Sequence, residues 1–141
     1  MAFPKNHYLC STMLINKLLF ETDDAKLGLT QARGFAWFTK KGVMFEYQVT
    51  DTVFEMMKSE LTELFVPFEQ VKEIRWEKSW FTGGIVYISL NSLKDLDQVP
   101  FLDETELCLE LDRKQKTEGK EFGVNAALQL AYFRIEELDK L

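Results

Sequence analysis

The chain has 141 residues, of which 46% are apolar and 28% charged, and 17 basic against 23 acidic side chains give a net charge of −6 at neutral pH. A chain of this size buries enough surface to fold without disulfides or a metal, so a disulfide-stapled mini-protein is excluded. Nucleic-acid binding depends on lysine and arginine at phosphates, and the acidic balance argues against it.

The first 32 residues are predicted as a segment separate from a main domain over residues 33–141. They lack the basic start and continuous apolar stretch of a secretory signal, and no run of apolar residues is long enough to span a membrane. The two cysteines, Cys10 and Cys108, do not indicate a disulfide framework, which favours a cytoplasmic protein. Apolar spacing near the start allows a short helix around residues 12–20.

An antiparallel hairpin is predicted at the start of the main domain. Residues 34–39 are rich in aromatic side chains, and apolar and polar side chains alternate along residues 43–49, as in a half-buried strand. Lys40, Lys41 and Gly42 form the short connection between them. We expect the glycine to supply a positive φ there.

The next segment, residues 51–65, carries conflicting signals. Its apolar spacing favours a helix, and Thr52 with Glu55 resembles a capping box. Residues 61–68 would instead pair with the strand that follows if they were extended, and Pro67 is tolerated at a strand end or in an edge strand. The local pattern leaves helix and strand open.

Two further strands are predicted around a glycine-rich turn. Residues 71–78 place Ile74 and Trp76 on one face, and residues 85–90 are apolar nearly throughout. The turn lies at residues 82–84, where two glycines follow a threonine. A second antiparallel hairpin is therefore expected.

The most regular alternation in the chain lies at residues 104–112. The leucines of this segment are predicted to point into the core, and the residues between them to point outward. The inward residues are Leu107, Leu109 and Leu111. Cys108 is then expected beside glutamates on the wet face of the strand.

The carboxyl end of the chain changes to a helical period. Apolar residues recur there at steps of four and three, as on the buried stripe of an amphipathic helix. These residues are Val124, Leu128, Ala131, Ile135 and Leu138. We expect a helix of about sixteen to twenty residues that packs this stripe on the sheet. The small side chains of Ala127 and Ala131 would let it approach closely.

This order of elements resembles the pleckstrin-homology superfold, and in particular a bacterial group of uncharacterised pleckstrin-homology-like proteins. The residues that carry the resemblance are 34–51, 66–76, 92–101 and 106–115. Val66-Pro67-Phe68 starts a strand as in that group, and Val99-Pro100 precedes the last strand. The resemblance implies a mainly β (α+β) domain, an antiparallel barrel or sandwich of about seven strands capped by a C-terminal amphipathic helix. It also implies a strand at residues 61–66.

Residues suited to catalysis or metal binding are few. The single histidine, His7, stands near the start of the chain, where a histidine-based triad is not expected. Two distant cysteines do not form a zinc pattern. The acidic residues around positions 95–104 lack the spacing of a calcium-binding loop. They are Asp95, Asp97, Asp103 and Glu104. We expect a non-enzymatic protein without cofactor or metal.

Two surfaces are candidates for binding. Trp80 and Phe81 precede a turn, where an exposed aromatic pair would contact a protein partner, although Trp80 would instead join the core if the preceding strand continued. Lys40 and Lys41 in the first hairpin loop, with Arg75, are weaker candidates for an anion or a lipid headgroup.

The resulting expectation is an interaction or adaptor module of the pleckstrin-homology-like type. It would bind a protein or peptide partner, because such folds accept an extended peptide as an added strand, or it would self-associate as a homo-oligomer. The alternative is a binder of a small ligand or an anionic lipid headgroup through the first hairpin loop. Neither nucleic acid nor peripheral membrane contact is expected.

Overall fold

The computed structural model describes residues 17–23, 30–51 and 60–140, which form two antiparallel sheets and one long helix. The first sheet contains β1 (Leu18–Asp23), β2 (Thr30–Phe38), β3 (Gly42–Asp51) and β4 (Thr62–Pro67) in that order. The second contains β5 (Val71–Glu77), β6 (Ile85–Leu90), β7 (Leu102–Asp103) and β8 (Glu106–Glu110), in the order β5-β6-β8-β7. Helix α1 (Lys116–Asp139) ends the described part, and 3-10 turns occupy Phe68–Gln70 and Arg113–Gln115.

This architecture confirms a mainly β domain with antiparallel sheets and a C-terminal helix. Within the described residues the backbone pairing does not close the sheets into a barrel, because each sheet ends at its own edge strands. The described residues contain eight strands, where about seven were expected for the domain. The two sheets share one core and form a sandwich.

The described part of the amino-terminal segment belongs to the first sheet. β1 pairs with β2 from Leu18 opposite Ala36 to Asp23 opposite Gln31. The boundary expected after residue 32 therefore lies inside β2. Of the short helix expected around residues 12–20, residues 18–20 are strand and residues 12–16 lie outside the described residues.

The predicted hairpin of β2 and β3 is confirmed. Phe38 lies opposite Val43 across the turn. The expected reason for Gly42 is wrong, since its φ is not positive. A Cβ atom at Gly42 would lie 2.4 Å from the backbone oxygen of Val66, so the glycine is required by the close approach of β4.

The ambiguous segment is a strand where the structure describes it. β4 begins at Thr62, as the pleckstrin-homology resemblance implied, and Val66 is fully buried. Pro67 ends β4 at the edge of the first sheet, a position where a missing N–H costs no ladder hydrogen bond. Residues 52–59 lie outside the described residues.

Aromatic side chains fill the space between the sheets. Phe101, just before β7, is completely buried, and its ring centroid lies 5.2 Å from that of Phe20, 5.3 Å from Phe45 and 5.1 Å from Tyr47. The steep interplanar angles with Phe20 and Tyr47 are those of favourable edge-to-face contacts. Phe101 thus joins the second sheet to three residues of the first.

Thr22 provides a polar link between the sheets. Its hydroxyl donates a hydrogen bond to the backbone oxygen of Cys108 at 3.1 Å and accepts one from the backbone N–H of Glu110 at 2.8 Å. Because the side chain is buried, both bonds are protected from water. β1 is therefore tied directly to β8.

A bulge in β5 changes the faces that its side chains occupy. The register with β6 shifts between Val71 and Glu73, so Val71 and Ile74 both point into the core although they are three residues apart. The predicted inward position of Ile74 is confirmed. Trp76 is half-buried, and its indole N–H donates to the backbone oxygen of Gly83 at 3.1 Å.

The expected orientation of the C-terminal helix is wrong. Helix α1 has 24 residues, more than expected, and the stripe predicted to be buried is exposed. The buried side, here called the inner face, consists of Gly119, Phe122, Gly123, Ala126 and Leu130. These residues also recur at steps of three and four, but two of them are glycines, which an apolar pattern does not register.

The inner face approaches the second sheet through its two glycines. A Cβ atom at Gly123 would lie 3.0 Å from the Cβ of Trp76, and one at Gly119 would overlap a methyl group of Leu111. Of the two alanines predicted to allow this approach, Ala127 packs against the core, whereas the prediction for Ala131 is wrong. Ala127 is half-buried and Ala131 is exposed.

Candidate interaction surface

A line of exposed apolar side chains runs along the outside of α1. Its residues form a single stripe, here called the outer seam. They are Val124, Leu128, Ala131, Ile135 and Leu138, all exposed. At 1.5 Å per residue, the outer seam is about 21 Å long. Exposed apolar side chains are ordinary when scattered, whereas a continuous stripe is typical of surfaces that contact a partner.

The outer seam has the spacing of a coiled-coil interface. Its residues follow one another at four, three, four and three positions, the a and d positions of a heptad. At 100° per residue this stripe lies on the side of the helix away from the inner face. α1 therefore has two apolar sides, one of which packs on the second sheet.

One charged side chain beside the outer seam, that of Arg134, is turned away from the seam. Arg134 directly precedes Ile135, and its guanidinium donates hydrogen bonds to the backbone oxygens of Val71 and Lys72. These bonds hold a long cationic side chain against β5. The apolar surface around Ile135 is left open as a result.

The predicted aromatic pair is highly exposed to solvent. Trp80 and Phe81, here called the aromatic tip, are 85% and 82% exposed in the loop between β5 and β6. Trp80 therefore does not continue the core. The ammonium of Lys78 lies 5.3 Å from the Trp80 ring centroid, and Arg113 donates to the backbone oxygen of Phe81 at 3.3 Å. The aromatic tip thus lies near the start of α1.

The two lysines of the first hairpin loop lie beside acidic side chains. Lys40 and Lys41 line a shallow groove together with apolar and acidic residues from β4, the following turn and α1. The apolar members are Phe65, Pro67 and Phe133, the acidic members are Glu69, Glu136 and Glu137, and a third lysine, Lys140, contacts Glu137 at 3.1 Å. Carboxylates in the same groove oppose the binding of an anion.

Arg75, the third candidate for anion binding, is occupied by carboxylates. Its guanidinium contacts Glu106 at 2.6 Å and Glu77 at 3.5 Å, and it lies over the ring of Tyr87 at 4.4 Å. The hydrogen bond from Arg75, assisted by one from Ser89, lowers the pKa of Glu106. The structure therefore does not offer Arg75 as a free cation, and it shows no contact between Arg75 and the loop lysines among the described residues.

Cys108 lies on the outer face of the second sheet, as predicted, but it is only half-exposed. Burial, followed by the nearby carboxylates of Asp103 and Glu106, raises the pKa of its thiol to about 11. The thiol is therefore protonated at neutral pH, and a protonated thiol is a weak nucleophile. Burial also raises the pKa of the neighbouring Glu110.

In the described part of the chain, no three side chains of the His, Cys, Asp or Glu type come together as they would around a metal ion. Asp95 and Glu104 instead occupy turns with positive φ. His7 and Cys10 lie outside the described residues. Within residues 17–23, 30–51 and 60–140, no helix has the length and apolar character needed to cross a membrane.

The chain matches no protein-family model, and the searches of curated proteins and of solved structures yield no match. The resemblance to pleckstrin-homology-like proteins therefore stays a prediction. The apolar spacing in the sequence identified the residues of the outer seam, but the stripe was predicted to be buried against the sheet. The signal that could have separated the two sides is the pair Gly119 and Gly123, because glycines spaced by four on a helix allow close packing.

Proposed function

We propose that this chain is a non-enzymatic interaction module of the pleckstrin-homology-like type that binds a protein partner through the outer seam of α1. The observation that carries the proposal is the exposure of five apolar residues at heptad spacing on the side of the helix away from its own core. A partner helix laid against this seam would remove them from water.

The energy available to such a contact is substantial. Burying a large aliphatic side chain contributes about 1.5–3 kcal/mol relative to leaving it exposed. Leu128, Ile135 and Leu138 are each about half exposed or more, so each retains much of that gain for a partner. An interface of this kind needs no rearrangement of the sheets, because the seam is already formed.

The anionic-ligand alternative has less support. Lys40 and Lys41 share their groove with three glutamates and with Lys140, which is paired with Glu137, and Arg75 is paired with Glu106. The aromatic tip remains a second candidate contact for a protein partner, since both of its side chains are almost fully exposed. It therefore serves as the matched comparison for the seam.

Differential capture from extracts of the source cells tests the proposal. Three tagged full-length baits are compared: the unmodified chain, the seam variant Leu128→Glu/Ile135→Glu and the tip variant Trp80→Ser/Phe81→Ser. We expect a partner, which includes an untagged second copy, to be retained by the tip variant and reduced at least about tenfold with the seam variant. A seam variant that captures the same proteins in the same amounts would refute the proposal.

A further inference from the structure

We infer that the outer edge of β4, here called the free edge, is a docking site for an extended segment of another protein, which joins the first sheet as an added strand. This site is separate from the outer seam of α1. Three features point to it: the topology of the sheets, the backbone groups that β4 leaves unpaired and the groove beside its end.

The other three edges of the two described sheets are covered or short. β1 is tied to β8 by the hydrogen bonds of Thr22. α1 packs on β5, where Arg134 donates to the backbone oxygens of Val71 and Lys72. β7 has only two residues. β4 has six residues and, in the part of the chain that the structure describes, pairs with β3 alone. An uncovered edge strand is a template for a further strand.

The pairing of β4 with β3 shows which backbone groups lie on the free edge. The N–H of Phe68 donates to the backbone oxygen of Lys41 at 2.9 Å, so these two residues are a hydrogen-bonded pair. Bonded and non-bonded pairs alternate along an antiparallel ladder, so the odd-numbered residues of β4 turn their backbone groups away from β3. They are Glu63, Phe65 and Pro67.

The outward groups are complementary to the backbone of an extended chain. Glu63 and Phe65 each present an N–H and an oxygen, and Pro67 presents an oxygen. None of these groups has a hydrogen-bond partner among the described residues. Donors and acceptors on alternate residues of a strand are the groups that a neighbouring strand pairs with. The free edge therefore specifies an extended segment as its occupant.

The groove beside the end of β4 has space for side chains of the added strand. Phe65 is 43% exposed, and it lines the groove together with Pro67 and with Phe133 of α1. Side chains at one level of neighbouring strands lie on the same face of a sheet. The residues opposite Phe65 and Pro67 would thus contact this apolar lining. The groove has as many lysines as glutamates, so it selects for no net charge. We expect apolar residues at two alternate positions of the occupant.

The length of β4 favours a segment of another protein over a second copy of this chain. A stable interface between two folded proteins involves about 20–30 residues on each side, whereas β4 offers six. Pairing β4 with its own copy would also bring two prolines without an N–H into one ladder. A peptide segment needs only the backbone groups of the free edge and the groove.

Amide hydrogen exchange of the full-length chain, followed by nuclear magnetic resonance, tests the free edge without a ligand. We expect the N–H groups of Glu63 and Phe65 to exchange at least about 100-fold faster than those of Leu64 and Val66, which bond to β3. Slow exchange at Glu63 and Phe65 at every protein concentration would show that the chain covers this edge itself. Slow exchange only at high concentration would show that a second copy covers it. Either result overturns the inference.

Random linear peptides displayed on phage supply the probe for the occupant. Peptides selected on the full-length chain should carry apolar residues two positions apart. They should bind Glu63→Pro at least about tenfold more weakly than Glu63→Ala. Both variants lose the same side chain, but only proline removes the outward N–H, and an edge strand tolerates proline there. The seam variant should bind these peptides unchanged, and loss of binding in that variant would place them on the outer seam instead.

Backbone methylation of a selected synthetic peptide gives a second readout, which holds even if Glu63→Pro does not fold, as checked by circular dichroism. Methyl groups on the peptide nitrogens that face β4 should abolish binding, and those on the intervening nitrogens should not. Such alternation, together with slowed exchange at Glu63 and Phe65 in the complex, supports the inference. A selection without binders, or binders whose affinity shows no such alternation, overturns it.

Discussion

The two apolar sides of α1 differ in the size of their residues more than in their periodicity. The inner face combines Gly119, Gly123 and Ala126 with a few large side chains, and it packs on Trp76 and Leu111. The outer seam carries mostly large aliphatic residues and contacts nothing in the described part of the chain that buries it. Small residues bring a helix close to a sheet, whereas large ones at heptad spacing suit another helix.

The largest expected effect separates two leucines that are two positions apart. Leu130 is 3% exposed on the inner face, and Leu128 is 49% exposed on the outer seam. We expect Leu130→Ala to lower the free energy of unfolding by about 3 kcal/mol, since it leaves a cavity in the core. Leu128→Ala should change it by less than about 0.5 kcal/mol. Urea denaturation of dilute samples measures both, and equal losses would contradict the assignment of the two sides.

A smaller effect is expected where α1 approaches β5. In Gly123→Ala the new methyl group would meet the Cβ of Trp76 at 3.0 Å and its backbone nitrogen at 3.2 Å. We expect a net loss of about 1–2 kcal/mol even though alanine is the better helix former by about 1 kcal/mol. Asn125→Ala, at an exposed position, should be neutral or stabilising. Thermal denaturation compares the two variants. A stabilised Gly123→Ala variant would show that α1 packs less closely on β5 than the distances to Trp76 indicate.

The outer face of the second sheet is polar, unlike the outer seam, and carries the ion pair between Arg75 and Glu106. The pKa of Glu106 lies below its ordinary value of 4.5, so its contribution to stability is present above that value and is lost as the pH falls through the lower, folded value. We expect Glu106→Gln to cost about 1 kcal/mol at pH 7, a value reduced by partial exposure to water. The difference from the unmodified chain should shrink below pH 4.5 in urea titrations. If the difference in unfolding free energy did not change with pH, the ion pair between Arg75 and Glu106 could not be its cause.

The smallest effect is expected at Glu110, on the same face of β8. Burial raises its pKa, so the charged carboxylate is held at some cost and stability rises as the pH falls through the folded pKa. Glu110→Gln should therefore stabilise the fold at pH 7, by up to about 0.5 kcal/mol because water still screens the site. Thermal denaturation at pH 7 detects this gain, and a loss of stability would contradict the assigned cause.

The strands could be predicted because their burial alternates along the chain itself. Val43 and Phe45 on β3, and Leu107 and Leu109 on β8, are buried at the predicted positions. The bulge that places both Val71 and Ile74 inward could not be predicted, since it arises from pairing with β6. The sequence also left barrel and sandwich open, and the structure is a sandwich; the choice could not be predicted, because sheet closure depends on pairings between distant strands.

The candidate site could be predicted only in part. The exposure of Trp80 and Phe81 follows from their place beside a turn, and the structure shows them exposed. The orientation of α1 could not be predicted. Its sequence carries two apolar stripes, and periodicity alone does not show which stripe packs on the sheet. The fate of Arg75 also depended on Glu106, 31 residues away in sequence.

The two sheets also differ in how far along the chain their partners lie. In the first sheet each strand pairs with its sequence neighbour, whereas in the second β6 pairs with β8, and α1 packs mainly on β5. Closing a short loop loses less chain entropy than closing a long one. We therefore expect the hairpins of the first sheet to form early during folding and α1 to dock late. Pulse-labelled hydrogen exchange during refolding tests this order, and early protection of α1 would contradict it. Until that docking step, both apolar sides of the helix face water at once.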